Sequence, residues 1–256
     1  MEGAHHTRIQ LCGRFVVELN GRRVERRLPS RQGRLLFTYL VLQRTRATRR
    51  DELIEVLWPG GTASANAASA LTVLLSKLRT VVGADTLVGR SSVQLVLPPG
   101  ARVDVEEALA AVHRAEAAVA LGNWARGWSA ALCAQFIAQR PLLPEDDLPW
   151  LDDWRRRLDD LLERALEAYG EACLGLGGAE LAGAERSGRR LIEHNPLRES
   201  DYRLVMQALA ARGNGAEALR VYERARAVLR EELGIAPGPA MRELHAQLLA
   251  GAAAAT

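Results

Sequence analysis

Cysteine is almost absent: three residues, Cys12, Cys133 and Cys173, are scattered through 256 positions. That spacing excludes a disulfide framework and offers no Cys-x-x-Cys pair for zinc. Lysine is scarcer still, Lys77 being the only one, so there is no Gly-Lys-Ser/Thr loop and P-loop nucleotide chemistry is excluded. No apolar run approaches the roughly 18–20 residues that a membrane span requires. Residues 1–6, which include His5 and His6, lack the apolar core of a signal peptide. These absences predict a cytoplasmic chain with no membrane partner. No Ser-His-Asp, Cys-His or paired-carboxylate constellation has a supporting context, so the chain is not expected to be an enzyme, and neither a cofactor nor a metal is expected.

What is present is ordinary for folded protein: 48% apolar and 25% charged residues, enough to bury two real cores at this length. The net charge of +3 conceals a division. Residues 1–100 carry 15 Lys+Arg against 7 Asp+Glu (+8), and residues 101–256 carry 19 against 24 (−5). A basic front half and an acidic back half suit a polyanion binder joined to a separate partner-binding module.

Ile9, Leu11, Phe15, Val17 and Leu19 alternate toward Asn20-Gly21, the strongest two-residue hairpin signal, and the chain returns through Val24 and Leu28. Ser30 is placed to cap a helix over residues 31–43, and Thr48, with Asp51 three positions on, to cap a second that Trp58-Pro59-Gly60-Gly61 ends. A third helix is predicted over 63–82, stopped by Gly83, with Leu71, Leu74, Leu75, Leu78, Val81 and Val82 on its buried stripe. Strands at 86–88 and 93–97 bracket Gly89-Arg90-Ser91-Ser92, and Pro98-Pro99-Gly100 marks a boundary. Beyond it the pattern predicts helices at 104–121, 125–138, 147–176, 179–194, 199–212, 215–233 and 239–250. Ala184, Gly188 and Leu191 share the spacing of Ala218, Tyr222 and Ala225, small residues at fixed offsets as in tetratricopeptide repeats. The acidic cluster Asp146-Asp147 with Asp152-Asp153 reads as a solvated helix start. The fold class is therefore mostly α with a small β component. A winged helix-turn-helix over residues 1–100 precedes a tetratricopeptide-like all-α domain over 101–256.

In a winged helix the third helix fits the major groove of DNA. Its core stripe leaves Ser69, Thr72, Val73, Ser76, Lys77, Arg79 and Thr80 outward. Arg31 and Arg34 open the first helix and Arg49 and Arg50 the second, where free backbone amides attract phosphate; Arg90 tips the wing. The expected DNA-binding set is thus Arg31, Arg34, Arg49, Arg50, Ser69, Thr72, Val73, Ser76, Lys77, Arg79 and Arg90. The alternative is a helical-repeat scaffold whose winged helix serves protein contacts.

Several stretches carry a family resemblance: Leu11-Cys12-Gly13-Arg14-Phe15, Asp51-Glu52-Leu53-Ile54 with Leu57-Trp58-Pro59, Leu75-Ser76-Lys77-Leu78-Arg79 and Val103-Asp104-Val105. In the back half they are Pro196-Leu197-Arg198-Glu199, Ala216-Glu217-Ala218-Leu219 and Glu232-Leu233-Gly234-Ile235-Ala236-Pro237-Gly238-Pro239. Over residues 8–250 the chain resembles the Streptomyces antibiotic regulatory protein type of activator, which joins an OmpR/PhoB-like winged helix to a bacterial transcriptional activator domain. The resemblance implies double-stranded promoter DNA carrying tandem direct repeats as a partner and a head-to-tail pair of chains bound on it. It also implies RNA polymerase as a partner, facing the loop Trp58, Pro59, Gly60, Gly61 and Thr62.

Overall fold

The structure, a computed structural model, describes residues 7–59 and 66–254. The chain forms two compact units that interleave along the sequence: Met1–Glu107 with Arg140–Arg157, and Ala108–Gln139 with Leu158–Thr256.

The first unit runs β1 (Arg8–Gln10), β2 (Val16–Leu19), β3 (Arg22–Arg23), α1 (Ser30–Leu42), β4 (Thr48–Arg49), α2 (Arg50–Leu57), α3 (Ala67–Val82), β5 (Leu87–Val88), β6 (Ser92–Leu95) and β7 (Arg102–Val103). One sheet has the order β3-β2-β1-β7 and the other β4-β6-β5. Asn20 and Gly21 turn the β2–β3 hairpin with φ of 51° and 75°, the left-handed pair that a two-residue primed turn requires. Strand β7 closes the first sheet by parallel pairing with β1, Ile9 opposite Val103.

Two expected caps are corrected. Helix α1 begins at Ser30 itself, and α2 follows Arg49, neither with a side-chain cap bond. Thr48 is extended and buried in β4, opposite Val93 of β6; sheet pairing with the wing holds it where a cap residue cannot sit. The core beneath the three helices is built from Leu36, Phe37 and Leu40 of α1, Leu53 of α2, and Leu71, Leu75 and Leu78 of α3. Leu87, Val93 and Leu95 of the wing complete it, all almost fully buried. Side chains of this size stabilise a fold by about 1.5–3 kcal/mol each when buried.

Two carboxylates tie distant parts of this unit together. Asp104, 8% exposed, accepts the backbone N–H groups of Leu11 (3.0 Å), Cys12 (2.9 Å) and Val105 (2.9 Å). Burial pushes its carboxyl above the usual range, and the three amides pull against that shift. Asp146, 1% exposed, is not the solvated residue that its acidic neighbours suggest. Its carboxylate accepts Arg31 and, at 3.1 Å, Arg34. The surrounding segment 140–157 is held by Gly13 N–H donating to Pro141 O (2.8 Å), an edge contact of Trp150 on Tyr39 (5.2 Å), and Arg155 donating to Leu143 and Asp146 carbonyls (2.7 and 2.6 Å).

The second unit is helical: the main part of α4 (Asp104–Ala120), then α5 (Trp124–Ala138), most of α6 (Pro149–Leu176), α7 (Leu181–His194), α8 (Glu199–Ala211), α9 (Gly215–Leu233) and α10 (Pro239–Ala254). The expected helices are found, with ends displaced by a few residues at most, apart from a longer α10. Small residues set the spacing between them. A Cβ on Gly188 of α7 would stand 2.6 Å from Val205 of α8, and one on Gly170 of α6 would stand 2.5 Å from Leu204. Ala115, Ala131 and Ala168 form a cluster among α4, α5 and α6. Ile192, Tyr202, Val205, Met206, Val221 and Met241 form another across α7 to α10. Glycine at C′ ends α9: Gly234 takes φ 68° and its N–H meets the Arg230 and Leu229 carbonyls.

Asp104→Ala leaves three buried amides without an acceptor and should lower unfolding free energy by about 2–4 kcal/mol in urea melts; an unchanged midpoint would contradict the tie between β1 and the start of α4. Gly188→Ala gains about 1 kcal/mol of helix propensity, but overlap with Val205 costs about 1–3 kcal/mol, so a net loss of stability is expected in the same assay.

Candidate nucleic-acid interface

The buried stripe of α3 leaves one continuous exposed face. Ser69, Thr72, Val73, Ser76, Lys77 and Thr80 are all exposed, and their i, i+3, i+4, i+7 spacing puts them on one side of the cylinder. Lys77 supplies the charge on this face and has no ion-pair or hydrogen-bond partner among the described residues. Val73 stands near its centre, 52% exposed.

Arg79 departs from this face. It is half-buried, and its guanidinium donates to the carbonyls of Leu87 (3.2 Å) and Gly89 (2.5 Å). It fastens the wing to the helix. The wing turn explains why those carbonyls are available: Gly89 adopts φ 91°, and a Cβ there would lie 2.0 Å from the Ser92 carbonyl oxygen. Arg90, the next residue, is exposed at the tip and unpartnered among the described residues. Sequence pattern alone gives no sign of this clamp, because the partners are main-chain oxygens whose direction depends on the turn.

The start of α2 is joined to the same surface. Arg50 donates to the Thr72 hydroxyl (2.5 Å), which itself donates to the Ala68 carbonyl (2.8 Å). Arg49 is exposed and pairs with Asp51 (2.5 Å), whose carboxyl the arginine holds below its usual value. A network beneath fixes α1 against α2: Tyr39 O–H donates to Glu52 (2.6 Å), and Arg46 pairs with the same carboxylate. Burial and then Glu52 push the Tyr39 hydroxyl up to about 12. Arg46 holds the Glu52 carboxyl low.

Arg31 and Arg34 are engaged elsewhere, in their bonds to Asp146. The structure thus brings Arg50, Ser69, Thr72, Val73, Ser76 and Lys77 together, with Arg49 next to Arg50 at the start of α2 and paired with Asp51, and Arg90 attached through the Arg79 clamp. It does not bring Arg31 and Arg34 to them as free cations. In the expected polymerase-facing loop, Trp58 is half-buried and Pro59 exposed. Gly60, Gly61 and Thr62 lie outside the described residues.

The bacterial transcriptional activator domain family matches residues 103–249. The regulatory protein AfsR of Streptomyces griseus is 31% identical over 230 residues, covering 86% of this chain and 22% of AfsR. The transcriptional regulatory protein EmbR of Mycobacterium tuberculosis is 28% identical over 253 residues, covering 93% of this chain and 62% of EmbR. A shorter match, to the transcriptional regulator RedD of Streptomyces coelicolor, is 40% identical over 62 residues, 24% of this chain and 18% of RedD. The chain therefore spans about a fifth of the length of AfsR and under two thirds of EmbR. In fold, it is similar to the solved structure of Mycobacterium tuberculosis EmbR in complex with a low affinity phosphopeptide: TM-score 0.81 at 22% identity, over 96% of this chain and 65% of that one.

Arg79→Ala should free the wing without melting α3. Two hydrogen bonds from a charged but part-exposed donor are worth about 1 kcal/mol together after discounting for solvent, so amide exchange over residues 87–95 should quicken roughly five-fold. Unchanged exchange there would show that the clamp holds nothing.

Proposed function

The chain belongs to the bacterial transcriptional activator domain family, in keeping with its resemblance to Streptomyces antibiotic regulatory proteins. From that premise we propose that it is a sequence-specific DNA-binding transcription activator. In this reading it binds direct repeats in promoter DNA as a head-to-tail pair and recruits RNA polymerase. Residues 1–100 carry the DNA-binding part and 101–256 the tetratricopeptide-like activator part. The observation that carries the reading is the α3 face, small and polar around Val73 and Lys77, with Arg50 bonded to Thr72 and, about two turns on along the same edge, the wing with Arg90 clamped by Arg79. An α-helix fits the major groove, and basic residues at its margin can meet the phosphates. One such helix covers a short site, and pairing on tandem repeats raises specificity to a useful level.

Relatives named as transcriptional regulators support the regulatory role. Arg31 and Arg34, expected as phosphate ligands, are assigned here to holding segment 140–157 by their bonds to Asp146. The phosphate-facing set is then Arg49, Arg50, Lys77 and Arg90.

Four such contacts give a slope of log K against log salt of about −3 to −4. Fluorescence anisotropy with the full chain on promoter DNA should show that slope, and Lys77→Ala should flatten it by about one. The full chain is needed because β7 and Asp104 lie beyond residue 100. A slope near zero, or equal affinity for promoter and random duplex, would refute the reading and favour a protein-binding scaffold. The loop Trp58, Pro59, Gly60, Gly61, Thr62 is proposed to face polymerase, its lack of charge making it a poor phosphate ligand. Substitution of Thr62 by Ala should reduce transcription in a reconstituted assay and leave DNA affinity unchanged; parallel loss of both would remove the separate activation surface.

A further inference from the structure

The α3 face is unusual in what it lacks. Bidentate recognition of guanine uses a free guanidinium, and of adenine an Asn or Gln amide. The exposed face over residues 69–80 holds neither amide, and its nearest guanidiniums are occupied: Arg79 on the wing carbonyls, Arg50 on the Thr72 hydroxyl. What remains is hydroxyls, one ammonium, and an exposed valine in the middle.

Val73 has Ser69 four residues before it, Ala70 three before, Ser76 three after and Lys77 four after, so these four ring it on the helix surface. Apart from Ala70 and Lys77, the residues around it are serine or threonine. The rim is low, and the helix can lie close to whatever it meets. A valine reaches only a short distance from its backbone, so a close approach is the condition under which it can make contact at all. Its neighbours on the buried side, Leu74 and Leu75, are almost fully covered by the core, which leaves the Val73 methyls directed away from it.

Among base edges in the major groove the apolar group is the C5-methyl of thymine. We propose that Val73 is a specificity-determining residue that reads a thymine methyl, and that the chain's target contains thymine at the position it faces. This inference rests on the DNA-binding reading of the same helix face. The contact is apolar, so it discriminates by shape and desolvation rather than by hydrogen bonding. It separates thymine from uracil, two bases that present the same donors and acceptors.

That separation gives the test. The full chain selects its site from random duplex, and the selected duplex is then prepared with uracil replacing thymine at one position at a time. One or two adjacent positions per half-site should lose affinity, roughly three- to ten-fold, the worth of one methyl–methyl contact to that of a weak base contact. Val73→Ala should erase the difference between thymine and uracil there, while Val73→Ile should retain it. Both substitutions lie on an exposed helix surface and suit a helix, and circular dichroism should be unchanged. Uracil tolerated at every position, or a thymine preference that survives in Val73→Ala, would overturn the inference and leave the DNA-binding reading standing. A chain that enriches no sequence would overturn both.

Discussion

The carboxylate of Asp104 is the point through which the N-terminal unit is closed. It sits where β7 becomes α4, and it accepts amides from the end of β1 as well as from its own helix start. Strand β7 is only two residues long, too short to hold its register by pairing alone. Its parallel partner β1 is three residues long. A shared acceptor across 93 positions of sequence fixes the two together and seals the first sheet. Loss of one buried acceptor that satisfies several donors is costly because each orphaned amide carries its own desolvation penalty. The β2–β3 hairpin, which extends the same sheet, depends on it.

A second carboxylate does comparable work further along. Asp146 draws in two arginines that the sequence offers as phosphate ligands, and so makes segment 140–157 part of the N-terminal unit. Only the carboxylate is buried, Arg31 remaining exposed and Arg34 part-exposed, so the two arginines serve chiefly to keep a charge taken out of water from being left unpaired. The consequence for the candidate interface is subtractive: of the cations around α3 and the wing, Lys77 and Arg90 are the ones without a partner among the described residues. Arg79 works in the same direction, because its guanidinium anchors the Leu87 and Gly89 carbonyls and is withdrawn from the α3 face. The proposed reading face is therefore narrower and more apolar than a census of basic residues implies.

Much of this architecture was legible in the sequence. Helices of the second unit repeat their buried residues every 3.6 positions, and Gly, Asn or Pro punctuate them, so their limits could be read within a few residues. Asn20-Gly21 gave the hairpin, and the buried stripe of α3 gave its outward face by difference. What could not be read depends on partners far away in sequence. Strands β4 and β7 have two residues each, too few for any periodicity, and exist because β6 and β1 pair with them. Thr48 looks like a cap until β6 claims it. Asp146 has the local composition of a solvated turn, and only the fold places Arg31 and Arg34 over it. The role of Arg79 was hidden because its acceptors are main-chain oxygens presented by a glycine turn.

Whether the α3 face lies in the major groove, as proposed, can be tested at one atom. Ser76 is exposed on that face, and of the cysteines only Cys133 is exposed, Cys12 and Cys173 being buried. A chain carrying Ser76→Cys and Cys133→Ser can therefore be labelled at position 76 with a short photoactivatable group. On irradiation with its selected duplex, adducts should form on major-groove base atoms at fixed positions of each half-site. Bound complex that yields adducts on protein alone, or on DNA at scattered positions, would contradict it.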